Sequence, residues 1–247
     1  MSAHDLSGAR LSRGSGAAII AIVALGFAAG QVLGVLADVL ARLITHDHRS
    51  ITTLSALANP PWWFIAAGLV GLWAGFAGAT ALARRTYGLL PRSAFAVRAS
   101  DVLFVIVGLM LQAIVDVLYS AAHLYSNYKG NSTKIFSGAT GHGFLILALM
   151  TCIGAPIFEE LLFRGALLDG VRAVFASARG TASLVASVAI DGLLFAAAHA
   201  EWEAFIGLAI TGVVLAVIYA RTERIVPCIV THASFNALAV IAVLAAR

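Results

Sequence analysis

The sequence predicts an all-α polytopic membrane protein, a bundle of about seven transmembrane helices with a polar cavity between the later ones. Three observations carry that expectation. Mean hydropathy is +0.95, and only 11% of the 247 residues are charged against 61% hydrophobic, where an ordinary soluble domain has roughly 25% charged residues. Apolar runs of the ~20 residues needed to cross a bilayer recur along the chain, joined by short polar connections. Ionisable groups inside those runs are few, and they concentrate in the last hundred residues. After a polar N-terminus over residues 1–14, the length suits one transmembrane domain over 15–247 and no separate soluble domain.

The net charge of +4 is modest, so the basic residues read as topology signals and headgroup contacts, with no nucleic-acid partner. Cys152 and Cys228 both fall in apolar segments, which argues against a disulfide framework or a zinc-thiolate cage.

Arg10 and Arg13 precede the first apolar run, Ala17 to about Leu43, which places the N-terminus in the cytoplasm. Ala28-Ala29-Gly30 resembles a signal-peptide cleavage site, but the run continues well past it, as an anchor does. The polar loop that follows contains His46-Asp47-His48, which reads as solvated surface. Trp62 and Trp63 open the second span at the interface, and Arg84-Arg85 close it. Residues Leu89 to Val97 suit either a short helix lying on the membrane surface or, at least as well, a loop that anchors the bundle. The third span, about Val102 to Tyr119, holds Gln112 and Asp116, expected to hydrogen-bond inside the bundle.

Tyr125 to Gly143 reads as an outer loop, and the fourth span begins near Phe144 and carries Glu159-Glu160 in its inner half. Asp169-Gly170 and Arg179-Gly180 are expected to bracket a short amphipathic piece between spans. The fifth segment, about Thr181 to Ala200, carries Asp191, Phe195 and His199. The sixth runs from about Ala204 to Ala220, and the seventh starts at Ile225 and contains His232 and Asn236.

Two adjacent carboxylates inside a greasy segment are costly without partners, water or a metal. Residues four apart share a helix face, so Glu160 can meet Arg164, and His232 and Asn236 can face one cavity. A carboxylate with two imidazoles can activate water, the carboxylate taking the proton while the histidines hold a metal or hydrogen-bond the water and a carbonyl. An asparagine amide can donate to a developing oxyanion.

The order Glu-Glu-x-x-x-Arg (Glu159, Glu160, Arg164), Phe-x-x-x-His (Phe195, His199) and His-x-x-x-Asn (His232, Asn236) resembles the CPBP family, the type II CAAX prenyl endopeptidases and their bacterial relatives in bacteriocin processing and immunity. The resemblance covers about residues 144 to 240. It implies an intramembrane endopeptidase acting on a membrane-associated or lipidated peptide. Glu159 would activate water with help from His199, His232 and Asn236 would stabilise the oxyanion, and Glu160 and Arg164 would form a supporting pair. Asp191 is a further candidate supporting residue.

The family is classed with metalloproteases, so Glu159, His199 and His232 could hold one zinc with a position open for water. The His-Glu-x-x-His spacing of zincins is absent, and a metal-free glutamate mechanism is equally open. A short chain without extra domains resembles a bacterial member, which implies the inner membrane. A membrane scaffold or immunity protein is the rival reading, and a small ion-coupled transporter a weaker one.

One geometric difficulty is visible in advance. A fifth span of ~18 residues puts His199 roughly 27 Å from its inner end, whereas Glu159 and His232 lie toward the inner side. The expected resolution is a wet cavity near mid-bilayer.

Overall fold

The computed structural model describes residues 11–122, 135–176 and 181–246. They form α1 (Arg13–Ile44), a short α2 (Ile51–Ala56), α3 (Trp62–Tyr87), α4 (Leu103–Ala121), α5 (Gly141–Val174), α6 (Thr181–Ala198), α7 (Phe205–Thr222) and α8 (Ile225–Ala245), with no strand among the described residues. Seven of the helices, all but α2, are long and apolar enough to cross a membrane. The expected all-α, seven-span bundle is therefore the architecture found. The polar N-terminus up to residue 10, most of the outer loop and Arg179-Gly180 lie outside the described residues.

The α1–α3 pair is a close helix contact made by small residues. Gly26, Gly30 and Gly34 recur every fourth residue along α1 and meet Gly68, Gly71, Gly75 and Ala79 of α3. A Cβ on Gly75 would run into the backbone of Gly26 and Gly30, and one on Gly71 into that of Leu33 and Gly34. Such backbone proximity gains dispersion and loses no side-chain entropy, which is how apolar helices associate without a hydrophobic driving force.

Of the two readings of the connection after α3, the anchoring loop and not the surface helix is found. Gly88 ends α3 in the left-handed conformation (φ 68°), and Pro91 disfavours helix at the residue before it. Between Leu89 and Val97 the chain forms a 3₁₀ turn, Arg92–Phe95. Leu89, Leu90 and Ala94 are buried, with Leu90 packed over Gly165 of α5. A second 3₁₀ turn, Ala99–Val102, is tied to the start of α8, where Arg224 Nη1 donates to Asp101 Oδ1 (2.9 Å) and Nε to the Ala96 carbonyl (3.0 Å).

The decisive correction concerns α5. The helix does not stop at Asp169-Gly170 but runs unbroken for 34 residues. Gly170 lies against Gly16 and Ile19 of α1, so that glycine serves a close approach between helices and not a turn. From Glu159 to the end of α5 is then about 23 Å, close to the ~27 Å rise of α6. Antiparallel contacts keep the register: Ser183 Oγ donates to Phe175 O, Asp191 faces Arg164, and Phe195 meets Phe163. The end of α6 thus arrives level with Glu159, and the depth difficulty disappears.

Candidate active site

Helix α5 is built around the Glu159-Glu160 pair by two π turns, Met150–Gly154 and Phe163–Leu167. In the first, the Ala155 N–H bonds Met150 O, and Pro156 has no N–H to offer. Thr151 O is thereby left without a helix donor, and Asn236 Nδ2 of α8 supplies one at 2.8 Å. Gly154 gives room for Trp73 of α3, whose ring stacks on Phe158 at 5.1 Å. These contacts fix the rotation of α5, so Glu159 faces a cavity of about 430 Å³ while Glu160 points into the bundle, fully buried.

His199 lies just beyond the last turn of α6. Its Nδ1 donates to the Phe195 carbonyl (2.8 Å). A carbonyl only accepts, so the proton sits on Nδ1 and Nε2 of the neutral ring carries the lone pair. That Nε2 is 3.6 Å from Glu159 Oε2. The His232 Nε2 stands 3.9 Å from the same oxygen, and its Nδ1 donates to Glu160 Oε1 at 2.9 Å. Both Nε2 distances exceed a direct hydrogen bond, and Glu159 Oε2 is buried without a hydrogen-bond partner.

Behind this layer, Arg164 is completely buried. Nη1 donates to Glu160 Oε1 (3.1 Å) and Nη2 to the Gly212 carbonyl of α7 (2.8 Å), while Nε lies 3.5 Å from Asp191 Oδ2. The guanidinium covers the Phe195 ring at 4.6 Å, and that ring also touches His199 and His232 at 4.6 and 5.7 Å between centroids. Arg164 therefore clamps α5, α6 and α7 together. Glu160 steadies His232 and not Glu159, a finer division than the expected supporting pair. Asp191 meets Arg164 and not the cavity residues.

All eight residues singled out from the sequence thus converge, with Glu159, His199, His232 and Asn236 lining one cavity. Asn236 is half-engaged, one N–H going to Thr151 and one left over. What sequence reasoning missed are backbone groups, the carbonyls of Thr151 and Gly212. Pro156 inside a helix was the available signal for the first; the second had none. As expected, Gln112 Nε2 donates to Asp116 Oδ1 (2.9 Å). In the connection between α1 and α2, Asp47 is engaged by Arg49, whose hydrogen bonds pull its carboxyl down to about 2, consistent with solvated surface.

The donor set of Glu159, His199 and His232 has zinc-like chemistry, and both imidazoles have their far nitrogen held as metal-bound histidines do. Tetrahedral ligands at 2.0–2.1 Å from zinc stand about 3.3 Å apart, closer than the 3.6 and 3.9 Å found here. Among the described residues no group of three His, Cys, Asp or Glu side chains closes on one ion. The residues as they stand do not fit zinc, and no step below is routed through a metal.

No curated protein and no solved structure matches the chain. Residues 141–238 match the family model of the type II CAAX prenyl endopeptidase Rce1-like family, and this segment contains every residue of the cluster just described. Residues 1–140 lie outside the match. Over residues 141–238, then, this integral multi-pass membrane protein is similar to the type II CAAX prenyl endopeptidase Rce1-like family, the same family that its three motifs resemble.

Proposed function

We propose that the protein is an intramembrane endopeptidase that hydrolyses a peptide bond of a membrane-associated or lipidated, CAAX-type peptide, with Glu159 as the base. The observation that carries this reading is the convergence of three groups on one space: Glu159 Oε2, without a partner, and the Nε2 atoms of His199 and His232 at 3.6 and 3.9 Å. Glu159 Oε2 and the His199 Nε2 only accept, and two such groups repel one another unless a donor lies between them. One water oxygen can stand within ~2.8 Å of two atoms this far apart.

In the proposed reaction that water gives one hydrogen bond to Glu159 and one to His199 Nε2, which the Phe195 carbonyl holds in the accepting tautomer. As the water oxygen attacks the scissile carbonyl carbon, Glu159 takes its proton. Negative charge then collects on the carbonyl oxygen. His232, when protonated on both nitrogens, donates Nδ1–H to Glu160 and Nε2–H to the oxyanion, with the remaining Asn236 N–H as a second donor. Glu159 returns its proton to the departing amine, the C–N bond breaks, and the carboxylate is regenerated.

The test is cleavage of a fluorescence-quenched farnesylated CAAX peptide by protein in liposomes. Wild type should cleave it, and Glu159→Gln should lower kcat by about 10²–10⁴-fold with an unchanged melting temperature. A Glu159→Gln variant that cleaves at the wild-type rate refutes the assignment.

A further inference from the structure

Two glutamines outside the matched segment line the same cavity, Gln31 of α1 and Gln112 of α4. Gln31 lies well inside the 32-residue apolar α1, is exposed, and has no hydrogen-bond partner among the described residues. Its exposed neighbours, Val32, Leu33, Val35 and Leu36, are the residues hydrocarbon would select. An unpaired amide at such a position is costly in lipid. Gln112 is buried, and with its N–H₂ group donating to Asp116, its carbonyl oxygen is left to accept.

Helix register puts both amides at one height. Gly30 packs on Leu72 and Gly75 of α3, and the neighbouring Trp73 packs on Gly154 of α5, so Gln31 is level with Gly154 and Ala155, about one turn outward from Glu159. Gly108 of α4 packs on Thr231, Ser234 and Phe235 of α8, so Gln112 stands about one turn above His232, at the height of Asn236. Three amides from three helices therefore surround the cavity directly above the water-activating layer.

We infer that Gln31 and Gln112 are substrate-binding residues that receive the main chain of the peptide next to its scissile bond. An extended peptide entering this cavity brings N–H and C=O groups that must be satisfied away from water. Most of the wall is apolar, with Phe27, Leu69, Leu72 and Phe76 from α1 and α3. A glutamine side chain carries donor and acceptor together and can pair with a peptide group of any sequence. Gln31 takes one backbone amide through both its functions, and Gln112 accepts from a backbone N–H. This inference rests on the peptidase reading and adds the residues that position its substrate.

The experiment pairs protein and substrate changes. Gln31→Leu is compatible with an apolar span, and Gln112→Leu/Asp116→Leu removes the second amide together with its partner. Each is assayed on the farnesylated CAAX peptide and on the same peptide with one amide next to the scissile bond replaced by an ester, which lacks the N–H. We expect KM to rise about five- to tenfold per lost hydrogen bond with kcat changed less than twofold, and at least one ester position to cost wild type that factor and the matching variant nothing. Unchanged KM, or fully additive losses at every ester position, overturns the inference. Should wild type cleave nothing, the peptidase reading fails separately, and binding of the same peptides to Glu159→Gln with and without Gln31→Leu, read by fluorescence polarisation, decides this one. Weaker binding of the amide peptide to the Gln31→Leu form supports it, and equal or absent binding overturns it.

Discussion

Replacing Arg164 by methionine tests the clamp behind the cavity. The side chain is fully buried, as are Glu160 and Asp191, and the substitution nearly preserves volume, so the electrostatic loss dominates. Glu160 loses a 3.1 Å donor, Gly212 O loses a 2.8 Å donor, and two buried carboxylates are left with no guanidinium. Removing one partner of a buried ion pair costs about 3–5 kcal/mol. A chain of this size shifts by about 2–4 °C per kcal/mol, so the melting temperature should fall by roughly 6–20 °C. Fluorescence-detected size-exclusion chromatography after heating in detergent measures it. Because the penalty comes from stranded charge, the triple variant Arg164→Met/Glu160→Gln/Asp191→Asn should recover at least half of the loss. A single variant within 2 °C of wild type, or a triple variant less stable than the single one, would refute the reasoning.

Three further outcomes follow from the same geometry. Glu160→Gln retains an acceptor for His232 Nδ1 but removes the negative charge facing that ring, and kcat should fall about 10–100-fold while KM in the peptide assay holds. Gly75→Leu would drive a side chain into the backbone of Gly26 and Gly30; with no flexible neighbour to yield, the cost should exceed the ~1–3 kcal/mol typical of overpacking, seen as early loss of the monodisperse peak. Since the spacing around Glu159 is wider than a zinc site requires, cleavage should survive chelator dialysis, with less than one equivalent of metal by mass spectrometry; activity lost to chelator and restored by zinc would show that the residues close on an ion.

Much of this molecule was legible in the sequence, because in a membrane the cost of an unpaired polar group is large and local. Hydrocarbon admits few alternatives to helices, so seven apolar runs gave seven spans, and Glu159, Glu160, Arg164, Asp191, His199 and His232 were conspicuous as charged or polar groups in apolar runs. Spacing by four also foretold that Glu160 meets Arg164. Tertiary structure decided the rest. Asp169-Gly170 carries the composition of a turn, yet Gly170 packs on Gly16 and α5 continues through it, and that continuity brings His199 to the height of Glu159. Pairing of Glu160 with His232, 72 residues away, and of Arg164 with a carbonyl on α7 depends on the rotation of each helix about its axis. That rotation is fixed by glycine contacts, a stacked tryptophan and two π turns, none of which leaves a periodic mark in the chain.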